Sequence, residues 1–163
     1  MQPNPKLFFA LLFVTATLAA HHRTADYYDV TKPITLKGVV QKFIWANPHS
    51  FILIEVKNDK GVIETWAAEG DGPNNVDVGW DLRASGWQRS TVLPGDAISM
   101  TALPARTGVK LAGTIVIDEA RMMPEILAGM KKVAEAERAG RLVHGTDVTL
   151  PNGRKLLFGE AGR

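Results

Sequence analysis

Three features of the sequence predict a mainly β chain, folded as a small OB-fold-like five-stranded antiparallel barrel with a short helix and an added C-terminal amphipathic helix. The first is a long strand that changes phase. Ile34, Leu36 and Val40 fall in one phase, and Val39, Phe43 and Trp45 in the other, with Gly38 where the phase changes. A glycine at such a shift suggests a bulge that bends the strand, and a bent strand can serve both sheets of a small barrel. The second feature is a hairpin, with Phe51 to Val56 (FILIEV) and Val62 to Ala68 (VIETWAA) on either side of Asn58-Asp59-Lys60-Gly61. These turn residues accept the positive φ that tight hairpins need. The third is the order of the elements along the chain, β-β-β-α-β-β, which is that of a five-stranded Greek-key barrel.

Each later element has its own signal. Glu69 to Asn75 (EGDGPNN) is rich in breakers and reads as a loop. Val76 to Trp87 places Val76, Trp80 and Trp87 in a short stretch, which predicts a short irregular helix. Pro94-Gly95-Asp96 is a turn, and Ala97 to Leu103 and Leu111 to Asp118 alternate as strands. Pro124 suits the first position of a helix. From there Ile126, Leu127, Met130, Val133 and Ala134 recur at helical spacing, opposite Lys131, Lys132, Glu135 and Arg138, up to Gly140 as C-terminal cap. Leu142 to Leu150, Pro151-Asn152-Gly153-Arg154 and Lys155 to Phe158 read as a closing hairpin. The organisation expected is a signal peptide over 1–20, an N-terminal arm over 21–33, and a single barrel domain over 34–163.

The 163 residues are 45% hydrophobic and 22% charged, which is ordinary for a globular chain and excludes wholesale disorder. Lys6, the apolar run Leu7 to Val14 and the small residues of Thr15 to Ala20 form a bacterial secretory signal, cut after Ala19 or Ala20. Its apolar stretch is shorter than the roughly 20 residues a membrane-crossing helix needs. The expected location is therefore the periplasm or the medium, with no transmembrane segment after cleavage. Loss of residues 1–20 leaves 18 basic and 17 acidic side chains, with no basic cluster of the kind nucleic acid demands. The absence of cysteine excludes thiol catalysis, iron–sulfur ligation and cysteine-based zinc sites.

Chemistry concentrates at the histidines. Cleavage after Ala20 would make His21 the terminal residue, so that its amine and ring chelate one metal. Cleavage after Ala19 gives Ala20-His21-His22 instead, and a third-position histidine binds Cu(II) or Ni(II) in a square plane. His49, in Asn47-Pro48-His49-Ser50 between the first two strands, is the natural further ligand. His144 is the fourth histidine and lies in the tail. Glu69 and Asp71 follow the third strand and can add oxygen ligands or orient an imidazole. Trp45 and Trp66 can stack a planar ligand or a sugar, or simply fill the core. Ser50 beside His49 does not make a nucleophile–base pair, and neither G-x-S-x-G, a phosphate-cradling glycine loop nor H-E-x-x-H is present.

Several of these landmarks, taken in order, resemble one family. They are His21-His22, Asp29, Lys32-Pro33, Leu36-Lys37-Gly38, Asn47-Pro48-His49, Trp66, Glu69, Pro73-Asn74, Gly86-Trp87, Leu93-Pro94-Gly95-Asp96 and the LPNGRK of Leu150 to Lys155. The set resembles the small exported bacterial proteins catalogued as domain of unknown function 6152. Arg23 replaces the usual serine after the histidine pair, the segment before Gly86 is longer than usual, and the helix from Pro124 resembles an insertion. The resemblance implies export and fold; the family name implies no activity.

The function expected from these residues is a periplasmic metal-binding module, with His21, His22 and His49 holding Cu(II). The alternative is a metal-free OB-type module that binds a small ligand, a glycan or an envelope protein through Trp45, Trp66 and the neighbouring loops. As a structural envelope subunit, the chain would instead dock through its tail helix.

Overall fold

The computed structural model describes residues 24–74, 81–107 and 122–160. Outside them lie the signal segment, His21 and His22, the first part of the helix predicted over Val76 to Trp87, and the strand predicted over Leu111 to Asp118. Within them the chain forms α1 (Thr24–Tyr27), β1 (Ile34–Ile44), β2 (His49–Lys57), β3 (Ile63–Asp71), β4 (Ala97–Pro104), α2 (Pro124–Arg138), β5 (Leu142–Thr149) and β6 (Lys155–Leu157). No helix among the described residues is long and apolar enough to cross a membrane.

Five strands close on themselves. The sheet runs β3-β2-β1-β4-β5-β6, and β3 also pairs with β5, so β1 to β5 form a barrel with β6 as an added edge. The closing pair is parallel, with Ala67, Ala68 and Glu69 opposite Leu142, Val143 and His144. The barrel is therefore mixed rather than purely antiparallel. The reason is parity: β2 and β4 both run opposite to β1, so β3 and β5 (Leu142–Thr149) both run with it, and a ring of five strands must close on one parallel pair.

β1 carries the bend the sequence predicts, displaced by three residues. It pairs with β4 over Ile34 to Val39 and with β2 over Val39 to Ile44, and the register slips between Val40 and Lys42. Gln41 is the extra residue, so the inward set changes from Ile34, Leu36 and Val40 to Phe43 and Trp45. Gly38 serves a different need. A Cβ there would collide with the Glu55 carbonyl oxygen, so glycine permits the crossing of β1 and β2.

The β2–β3 hairpin closes as its residue types dictate. Asn58 Oδ1 accepts from the Lys60 and Val62 amides at 3.0 Å, and Gly61 adopts φ +78°. The described part of the predicted 76–87 helix is not helical; Asp81 to Gly86 makes one turn. The Trp87 amide donates to the Leu82 carbonyl and the Gly86 amide to that of Arg83, with Gly86 at φ +85°. This left-handed stop ends the turn at once, and it leaves Leu82 and Trp87 at 1% exposure in the core. α2 starts at Pro124 and ends in the same motif at Gly140, φ +69°, as predicted.

Two apolar layers result. Inside the barrel, Leu36, Val40, Ile52, Ile54, Met100, Val148 and Phe158 pack with the buried Trp45 and Trp87. Outside it, Ile44, Phe51, Leu53, Leu103 and Leu142 pack beneath Met130, Val133 and Ala136 of α2 and beneath Tyr28. The arm is anchored on the barrel: Tyr28 is 4% exposed and its backbone bridges Ala105.

Candidate functional site

The outer layer becomes polar at one end of the barrel. Strand alternation puts His49 on the same face of β2 as Phe51 and Leu53, and Glu69 and Asp71 on the same face of β3 as Ala67. Cross-strand pairing then sets His49 beside Asp71 and Phe51 beside Glu69, while the parallel pair sets Glu69 beside His144. Tyr28, delivered by the turn of α1, covers them. Three strands and the arm thereby converge on one group of side chains.

Glu69 is its centre and is 7% exposed. A carboxylate that dry calls for polar partners, and each of its oxygens faces one. The Tyr28 hydroxyl donates a hydrogen bond to Oε2, and His49 Nδ1 lies 3.3 Å from Oε1. Burial first, and then the Glu69 charge, push the Tyr28 phenol far above its usual range, so Tyr28 stays a donor at every relevant pH. With Nδ1 facing Glu69, His49 turns its other nitrogen away from the carboxylate, and its side chain is 41% exposed.

The surrounding groups are acidic or neutral. Asp71 is pushed up to about 6, by burial first and by Glu160 and Glu69, with His49 pulling the other way. His144 is held below its usual value, chiefly by burial, against the pull of Glu69 and of the Glu160 carbonyl. Its Nε2 bonds that carbonyl at 2.9 Å, and its ring lies 5.4 Å from the ring of Tyr28. Burial also raises Glu137 on α2, with Arg138 opposing and Glu69 adding.

The structure divides the residues singled out from the sequence. His49, Glu69 and Asp71 come together on the outer face. Trp66, of opposite parity on β3, packs against the barrel interior, and Trp45 is buried at 9% exposure with its ring 5.4 Å from Phe43. Neither indole presents an open stacking face beside the carboxylates. His49 opens β2 rather than standing in a loop. His144 is committed to a backbone carbonyl. Tyr28 escaped sequence reading; its one signal is the pair Tyr27-Tyr28 within an otherwise polar arm. Among the described residues no group of three histidine, aspartate or glutamate side chains is arranged to hold a metal ion.

A family model described as "Family of unknown function (DUF6152)" matches residues 10–114. The match takes in Tyr28, His49, Glu69 and Asp71 and stops before α2, so the LPNGRK resemblance at Leu150 to Lys155 lies outside it. No curated protein and no solved structure matches the chain. With well over half its length matched, the chain belongs to this family of unknown function, DUF6152.

Proposed function

We propose that this is an exported metal-binding module in which His49 is the barrel's ligand for Cu(II). The observation that carries the reading is the link from the Tyr28 hydroxyl to Glu69 and from Glu69 to His49 Nδ1. Metal-bound histidines nearly always give their second nitrogen to a carboxylate or carbonyl, which fixes the tautomer and makes the ligating nitrogen more basic. His49 Nδ1 stands 3.3 Å from such a carboxylate, and its side chain is 41% exposed. Asp71, its cross-strand neighbour, offers an oxygen ligand on the same face.

His49 and Asp71 fall short of a complete site, and the remaining nitrogens are assigned to His21, His22 and the amino terminus freed by signal cleavage. Tyr28 is tied to Glu69, and His22 precedes it by six positions. Imidazole and amine donors in such a set suit Cu(II) or Ni(II) ahead of harder ions.

The test is copper affinity in His49→Ala and Glu69→Gln. Loss of the ligand should abolish the three-histidine site, and loss of the orienting carboxylate should weaken it about 10–100-fold. Wild-type affinity and spectrum in His49→Ala would overturn the assignment.

A further inference from the structure

At one edge of the barrel a groove of about 480 Å³ opens between two turns. One wall is Gly86, Gln88, Ser90 and Thr91, and the other is Leu150, Pro151, Asn152 and Arg154. Its size is that of small-molecule sites, roughly 300–1,000 Å³.

The walls are locked to each other and to the core. The Trp87 indole donates to the Leu157 carbonyl at 2.5 Å, and its ring lies 5.0 Å from Phe158. Each wall also satisfies its own backbone. Thr91 Oγ1 accepts from the Gln88 amide at 2.7 Å, and Asn152 Oδ1 accepts from the Arg154 amide at 3.0 Å. The Leu150 amide and the Arg154 carbonyl close the second turn at 2.9 Å. The groove is formed before any ligand arrives, which lowers the ordering cost of binding.

Its lining has one charge. Arg154 is exposed, and among the described residues its guanidinium has no ion-pair or side-chain hydrogen-bond partner. Around it stand the side chains of Gln88, Ser90 and Asn152, also exposed, with donors left over after the turns are closed. No acidic side chain is among the described residues that line the groove. We propose that this groove binds a small hydroxylated carboxylate of the sugar-acid class, its carboxylate paired with Arg154 and its hydroxyls with Gln88, Ser90 and Asn152. A guanidinium fork matches a carboxylate in plane and in charge. A single cation balances a monoanion better than a phosphate dianion. Amides and hydroxyls, which both donate and accept, match the hydroxyls of a sugar ring.

The site is independent of the histidines and is tested without metal. The exported protein, labelled with ¹⁵N, is titrated with glucuronate, with glucose and with inorganic phosphate, each also against Arg154→Gln. Arg154 is exposed, so the amide spectrum of the variant away from the two turns serves as its folding control. Glucuronate should move the amides of Gly86, Gln88 and Arg154 in a saturable way, and Arg154→Gln should weaken that binding about tenfold or more. Glucose should bind more weakly than glucuronate by a similar factor. Absence of saturable shifts at both turns with glucuronate would overturn the proposal. So would equal responses to glucose, or phosphate binding as tight as glucuronate.

Discussion

Glu69 is a buried carboxylate whose two oxygens are met by Tyr28 and His49. A buried acceptor stripped of its donor costs about 1–3 kcal/mol. Tyr28→Phe keeps the ring and removes the donor, so urea unfolding should report a loss of that size. An unchanged midpoint would mean the hydroxyl holds nothing. Asp71 is the opposite kind of residue, a carboxyl the fold holds protonated up to about 6. Its pKa lies above the unfolded value, so between about pH 4 and pH 6 the native state binds more protons than the unfolded state, and stability falls as pH rises. Asp71→Asn should therefore be more stable than wild type above pH 6, with the difference closing near pH 4. His144 has the other sign. Its value is depressed, so its contribution is present above about 6.5 and is lost as pH falls. Denaturation of wild type and Asp71→Asn across this range isolates the Asp71 part, because both proteins carry His144. A constant difference at all pH values would contradict the burial that raises Asp71.

At the scale of elements, what the sequence announced and what it hid differ for physical reasons. The phase change in β1 was legible because it is a change of hydrophobic period. Its location at Gln41 was not, because a bulge residue has no required type while a glycine is conspicuous. Gly38 is held by the nearness of the Glu55 backbone, so Gly38→Ala should destabilise by at least about 1–3 kcal/mol; thermal unfolding checks it, and a neutral result would mean the crossing is looser than described. α2 was legible in both period and caps. It lies over the barrel's outer face, with Met130 at 7% exposure, so Met130→Ala should cost about 2–5 kcal/mol. A cost near zero would return α2 to the role of an exposed docking helix. The turn at Asp81 to Gly86 misled because Leu82 and Trp87 have helix-like burial demands that a single glycine-stopped turn meets.

For the whole molecule, barrel closure makes the site. The parallel β3–β5 pair is the seam at which five strands close, and it sets His144 beside Glu69. The arm completes the group by inserting Tyr28. Neither event is local, so the sequence could nominate His49, Glu69 and Asp71 and the tryptophans alike. It could not say that alternation on β3 sends Trp66 inward and Glu69 outward. The same closure leaves one end of the barrel with the His49 imidazole beside a buried carboxylate.

Copper binding is tested most directly on protein secreted and processed by its own signal, its amino terminus read by mass spectrometry, and titrated with Cu(II) under electron paramagnetic resonance. The expected result is one tightly bound, nitrogen-rich copper per chain, lost in His21→Ala/His22→Ala and altered in His49→Ala. Weak, non-stoichiometric copper, or a signal indifferent to all three histidines, would contradict it.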